Sequence, residues 1–133
     1  MSTAQPQNWM STRFSIERTR GKAPGTVIIT LAGPFTARDM YGTLTPVELK
    51  NALDLQPAAG EEPAVLNILD LTAVPYMDSC GLGLIVTHYV SSQNRGVKMV
   101  AVGASTRVLE LMRLTKVDTI VPLAATVEAA ELV

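Results

Sequence analysis

Residues 66–90 set the strongest limit on how this chain can fold. Leu66, Ile68 and Leu69 belong to a short, nearly unbroken apolar run over residues 64–69, bounded by Pro63 and Asp70, which suits a central strand ending near Asp70 and covered on both faces. After a turn through Pro75, Leu82, Ile85, Val86, Tyr89 and Val90 recur at i, i+3, i+4, i+7 and i+8. That spacing predicts a helix opening at Asp78 and Ser79 and packing this stripe on a sheet. Gly96 leads into a second apolar run over residues 97–102. Two buried strands joined by a helix of about 15 residues form a βαβ unit, with parallel strands and a right-handed crossover.

The flanks extend this unit into a mixed sheet. Phe14-x-Ile16 and Val27-x-Ile29-x-Leu31 alternate on either side of a Gly21-to-Gly25 turn, which predicts an antiparallel β-hairpin. Arg13, Arg18, Arg20 and Lys22 against Glu17 give it a local positive excess. A solvated edge strand protected from aggregation accounts for this; a binding patch is the competing reading. Gly33-Pro34 ends the second strand, and residues 35–44 read as irregular. Thr45, Pro46 and Glu48 form a capping box with proline at the first helical position, predicting a helix over residues 46–55 with Leu49, Ala52 and Leu53 inward. Ser105 caps a further helix through Leu114 with Val108, Leu109 and Met112 on the sheet. Thr119 to Val121 read as a short last strand, and residues 126–132 as a final helix.

A chain of 133 residues with 47% apolar content supports one core and one domain. Residues 1–12 read as a flexible tail and residues 13–133 as the domain. Eleven Lys and Arg against twelve Asp and Glu, net −1, argue against direct nucleic-acid binding by phosphate neutralisation. One Cys and one His exclude an internal disulfide and a structural zinc site. No apolar run approaches a membrane span, so the expectation is a cytoplasmic protein without membrane insertion. No metal and no cofactor is called for.

The polar corner at residues 77–83 is the candidate site. Gly81 and Gly83 place bare backbone in the first turn of a helix, where glycine costs up to about 1 kcal/mol against alanine, so something approaches closely: another loop of the chain, or a partner. Leu84, Thr87, His88 and Ser91 lie off the predicted inward stripe. Asp78 and Ser79 can cap the free N–H groups of the first turn, and the same helix end suits a phosphate. Cys80 as a nucleophile lacks a base, because His88 lies about 12 Å further along at 1.5 Å per residue; a small, mostly buried, inert cysteine is the default. Asp70 as a phosphoacceptor lacks the neighbouring carboxylates that would hold magnesium. No phosphate-cradling glycine loop is present.

Met77-Asp78-Ser79-Cys80-Gly81-Leu82-Gly83, after a strand ending Leu69-Asp70-Leu71, closely resembles the STAS-domain signature of bacterial anti-sigma-factor antagonists. The order and spacing of the hairpin, the 97–102 strand and the 105–114 helix resemble that family too, so the similarity runs from Arg13 to the end of the chain. The resemblance implies an α/β fold: a STAS-like mixed β-sheet with an N-terminal antiparallel hairpin and about four helices mainly on one side. It also implies a non-enzymatic partner switch, in which the antagonist binds an anti-sigma factor that is a serine kinase, and phosphorylation at the start of this helix breaks the complex. The family's acceptor is the second hydroxyl residue of an Asp-Ser-Ser-Gly or Asp-Ser-Thr-Gly pattern; here that position is Cys80. A thiol is not a substrate for ordinary serine-kinase chemistry, which leaves no phosphorylation, use of Ser79, or thiol-based control, the first being favoured. Segment 35–44 is longer than the family's usual loop before the first helix.

The expected docking residues are Asp78, Ser79, Cys80, Gly81, Gly83, Leu84 and Thr87, with Ser79 the substitute phosphorylation candidate. A weak homodimer stays open. The competing functions are a STAS subunit of a lipid-trafficking ABC transporter or stress-sensing assembly, and a thiol-based redox sensor or enzyme using Cys80.

Overall fold

The computed structural model describes residues 13–53 and 63–132. The tail assigned to residues 1–12 lies outside the described residues, as do positions 54 and 55 of the helix predicted over residues 46–55; that helix stops at Ala52 with Leu53 as its cap. Five strands form one sheet in sequential order: β1 (Ser15–Arg20), β2 (Thr26–Ala32), β3 (Leu66–Ala73), β4 (Lys98–Val102) and β5 (Leu123–Ala124). β1 pairs antiparallel with β2, and every later pair is parallel. The basic hairpin strand β1 is an edge strand whose Arg18 and Arg20 are exposed.

Among the described residues, five helices accompany the sheet: α1 (Ala37–Tyr41), α2 (Pro46–Ala52), α3 (Ser79–Asn94), α4 (Thr106–Leu114) and α5 (Val127–Glu131). Alternation along the strands divides the core. Ile29, Leu31, Leu69, Leu71 and Met99 point to one face, where they meet Met40 of α1, Leu49 of α2, Leu82 and Ile85 of α3, and Val108 and Met112 of α4. Ile68, Val100 and Val102 point to the other, covered by Val127 and Ala130 of α5. Four helices therefore share one face, and the last covers the other alone.

Local chemistry explains where the helices begin. Thr45 and Glu48 close a reciprocal capping box with Pro46 in the first turn, and the bonds from Thr45 hold the Glu48 carboxyl below its usual range. Asp78, Ser105 and Thr126 cap α3, α4 and α5 through side-chain oxygens. These caps satisfy donors that a helix cannot pair internally.

Four expectations require correction. Residues 35–44 are not irregular: α1 forms there, capped by Thr36, whose hydroxyl accepts from Asp39 N. β3 does not stop near Asp70. It continues to Ala73 because Leu71 keeps the inward alternation, fully buried, and Ala73 pairs with Ala32 past an irregularity in β2. Gly33 follows at φ +84°, and a Cβ there would collide with the Arg13 carbonyl, so this turn requires glycine. The strand expected at Thr119 to Val121 is replaced by a 3-10 turn at Val117–Thr119. The amides of Ile120 and Val121 both donate back to Val117 O at 2.9 Å, so they are unavailable to a sheet, and β5 starts later at Leu123. The inward stripe of α3 also differs: its buried residues are Gly81, Leu82, Ile85, His88 and Ser92, while Val90 is 48% exposed. The helix is turned by most of one residue step from the hydrophobic pattern.

Candidate functional site

The corner between β3 and α3 is built around two residues that take no part in the inward apolar stripe. Phe35 stacks on Phe14 at 5.3 Å between ring centroids and 6° between planes. Its backbone is stitched to the segment before α3: Phe35 N donates to Tyr76 O at 3.0 Å, and Asp78 N donates to Phe35 O at 3.3 Å. Gly81 lies directly against it, and a Cβ on Gly81 would collide with the Phe35 carbonyl oxygen. The bare backbone at Gly81 is thus explained by another loop of this chain.

Asp78 uses both carboxylate oxygens. Oδ1 accepts from Cys80 N at 3.0 Å and Gly81 N at 3.1 Å, capping α3, and Oδ2 accepts from Ala37 N at 3.2 Å in the first turn of α1. One carboxylate ties together the starts of two helices, a role added to the capping read from the sequence. The side chain is half-buried, and both its oxygens are engaged within the chain.

The remaining expected residues separate by exposure. Ser79, Cys80, Gly83 and Thr87 are exposed, Leu84 is half-buried and Gly81 is buried. The expectation of a mostly buried Cys80 is overturned: it is a free, exposed cysteine, because its position falls on the side of α3 opposite Leu82 and Ile85. Among the described residues, nothing outside its own stretch of helix comes within 4 Å of where a Cβ on Gly83 would stand. Ser79, Gly83, Thr87 and the unexpectedly exposed Val90 fall at i, i+4, i+8 and i+11, one outward stripe. Val90 was hidden from sequence reasoning because its hydrophobicity assigned it to the core.

The same rotation buries His88, which the sequence pattern had placed off the stripe. His88 is 5% exposed, and Asn67 of β3, fully buried, hydrogen-bonds its Nε2. With Asn67 Nδ2 donating, the ring is neutral and protonated on Nδ1. Burial pushes the His88 pKa down to about 4. Ser92 Oγ donates to His88 O at 2.8 Å, and Asn67 Oδ1 has no hydrogen-bond partner among the described residues. No pattern of single residues reveals this pair, since it joins positions 21 apart.

Among the described residues, clefts open on both sides of this corner. One, of about 840 Å³, lies by the carboxyl ends of β3 to β5 beside Asp70 and Glu128. There Asp70 Oδ1 is already engaged by Thr72 N at 3.0 Å and Thr72 Oγ1 at 2.6 Å. The other, of about 400 Å³, runs between α2 and α3, with Leu84, Thr87 and His88 in its wall. Among the described residues no group of three or more His, Cys, Asp or Glu is arranged to hold a metal ion, and no helix is long and apolar enough to cross a membrane.

A mixed five-stranded sheet with an antiparallel leading hairpin, and a capped helix rising from a polar corner, define one class of small α/β domain. Residues 47–130 match the STAS domain family, and the chain belongs to it. Over 77 residues the sequence is 38% identical to the anti-sigma-B factor antagonist of Listeria monocytogenes, a stretch that spans 58% of this chain and 65% of that relative. The fold is similar to the crystal structure of an anti-sigma factor antagonist from Mycobacterium paratuberculosis, with TM-score 0.65 and 22% identity over 89% of this chain and 92% of that one. It is also similar to the STAS domain of a SulP transporter from Vibrio cholerae, with TM-score 0.60 and 22% identity over 84% and 80% of the two chains. The fold alone thus serves more than one setting.

Proposed function

We propose that this protein is an anti-sigma-factor antagonist, a cytoplasmic, non-enzymatic module that binds an anti-sigma factor of the serine-kinase type through the first three turns of α3. The observation that carries the reading is the open stripe of Ser79, Gly83, Thr87 and Val90, in which Gly83 offers bare backbone with no described neighbour outside its own stretch of helix within 4 Å. The similarity to antagonists of anti-sigma-B factors supports the same partner class. Such a stripe lets a partner approach closely, and the ties from Asp78 and Phe35 hold it in one orientation without a ligand, so little ordering cost falls on binding.

In this reading the docking face is kept while the usual chemical switch is absent. Cys80 stands at the family's acceptor position, exposed, but a thiol does not accept phosphate from a serine kinase in the ordinary way. Ser79 is exposed too, yet points about 100° away around the helix. The test mixes the protein with a kinase-type anti-sigma factor and ATP, then measures complex formation by calorimetry and phosphate on the peptide containing residues 79 and 80 by mass spectrometry. Expected are a complex that ATP does not dissolve, little phosphate on the wild type, and phosphate on Cys80→Ser. Gly83→Arg is expected to weaken binding by at least about tenfold, some 1.4 kcal/mol; undiminished binding by that variant rules out this face.

A further inference from the structure

The cleft between α2 and α3 is a candidate ligand site that borders the outward stripe at Thr87. Its volume of about 400 Å³ falls within the roughly 300–1,000 Å³ of small-molecule sites. α2 and its cap line it with Pro46, Leu49, Lys50 and Leu53, at i, i+3, i+4 and i+7, and α3 lines it with Leu84, Thr87, His88 and Ser91, at i, i+3, i+4 and i+7. Two helix ridges thus face each other across a gap that neither fills.

The chemistry of the walls is divided. Leu49, Leu53 and Leu84 give an apolar bed, while Thr87 and Ser91 supply hydroxyls. Lys50 and Arg95 bring positive charge, and none of the described lining residues is acidic. Arg95 has an interaction of its own, and Lys50, on the opposite wall, is the cation nearest the leucines of α2 in sequence. His88 closes one wall as a buried, neutral ring held by Asn67. Positive charge at the edge of an apolar bed, with no acidic residue among the described lining residues, selects a ligand with an anionic head and an apolar body, because a cationic head would go unmatched there.

We infer that this cleft binds a small amphipathic monocarboxylate, its apolar body between Leu53 and Leu84 and its carboxylate toward Lys50 and the hydroxyls of Thr87 and Ser91. The inference stands apart from the choice of protein partner, since its readout involves the ligand alone.

The experiment titrates the isotope-labelled protein with octanoate and follows backbone amide resonances, with octylammonium and octanol as matched cationic and neutral probes. Expected is saturable binding of octanoate with a Kd on the order of 1 mM or tighter, with shifts centred on Leu53, Leu84, Thr87 and Ser91. Octanol and octylammonium should bind at least about tenfold more weakly. Lys50→Glu, a change at an exposed position, should weaken octanoate about tenfold or more and bring octylammonium up to or above it. Ser91→Trp, which fills the cleft, should abolish saturation. Octanoate shifts that do not saturate, that map elsewhere, or that survive both substitutions overturn the inference. Equal binding of all three probes overturns the charge selection and leaves only an apolar groove.

Discussion

Two glycines two residues apart in α3 sit in opposite environments, and the contrast makes a sharp prediction. A Cβ at Gly81 meets the Phe35 carbonyl and lies 3.0 Å from its ring, whereas one at Gly83 meets nothing outside its own stretch of helix among the described residues. Gly81→Ala gains up to about 1 kcal/mol of helix propensity but forces a backbone contact apart, an overpacking cost of about 1–3 kcal/mol. The net expectation is destabilisation by about 1–2 kcal/mol in urea unfolding. Gly83→Ala carries only the propensity gain and should raise stability by about 0.5–1 kcal/mol. Equal effects at the two positions would show that Phe35 yields freely. From the sequence, the two glycines looked alike; only the partner at Gly81 separates them, and that partner is 46 residues away in the chain. The bland explanation of an intramolecular approach thus holds at Gly81, and the docking explanation rests on Gly83.

Among elements, α1 and α3 are coupled through Asp78. Asp78→Ala removes a helix cap worth about 1 kcal/mol and a charge-assisted bond to Ala37 N worth about 1.5–3 kcal/mol. A total loss of about 2.5–4 kcal/mol is expected, with Asp78→Asn losing less because an amide oxygen still accepts one bond. Hydrogen exchange would check the coupling: amides of α1 should open faster in Asp78→Ala, although the substitution lies in another element. Unchanged protection in α1 would reduce Asp78 to a cap of α3 alone. The elements whose signals are local were legible in the sequence: the hairpin from its alternation, α2 from Thr45, Pro46 and Glu48, α3 and α4 from Asp78 and Ser105. What escaped depends on distant partners. α1 is a helix of five residues with no amphipathic repeat long enough to register, although Thr36 followed by Asp39 is a capping signal. β5 was displaced by the back-bonded turn after Lys116, which adopts a left-handed φ of 62°. The face of α3 was misjudged because a buried His88 and Ser92 read as polar, while an exposed Val90 read as core.

Across the whole molecule, that buried histidine links the sheet, α3 and the α2 cleft to pH. Asn67 belongs to a central strand and points to the four-helix face in the same alternation as Leu69 and Leu71, so the Asn67–His88 pair joins the main core to the wall of the α2 cleft. Burial there disfavours the charged ring and lowers the His88 pKa from 6.5 to about 4. Above about pH 6.5 both folded and unfolded chains carry it neutral, and stability is independent of its titration. Between about 6.5 and 4 the unfolded chain binds the proton and the folded chain does not, so stability falls as pH falls. Below about 4 the loss levels off, at about 3 kcal/mol for a shift of this size. Glu48, whose carboxyl is held below its usual range, also loses stability on acidification, but as pH falls through the lower, carboxylate range. His88→Gln isolates the histidine, because a glutamine oxygen can accept from Asn67 Nδ2 without titrating. Urea unfolding of both proteins at pH 7.5, 6, 5 and 4 should show their stabilities drawing together as pH falls, with a difference that changes by a few kcal/mol between pH 7 and 4. A constant difference would mean that the folded protein accepts the proton on His88 at little cost, opening the Asn67 pair toward the α2 cleft.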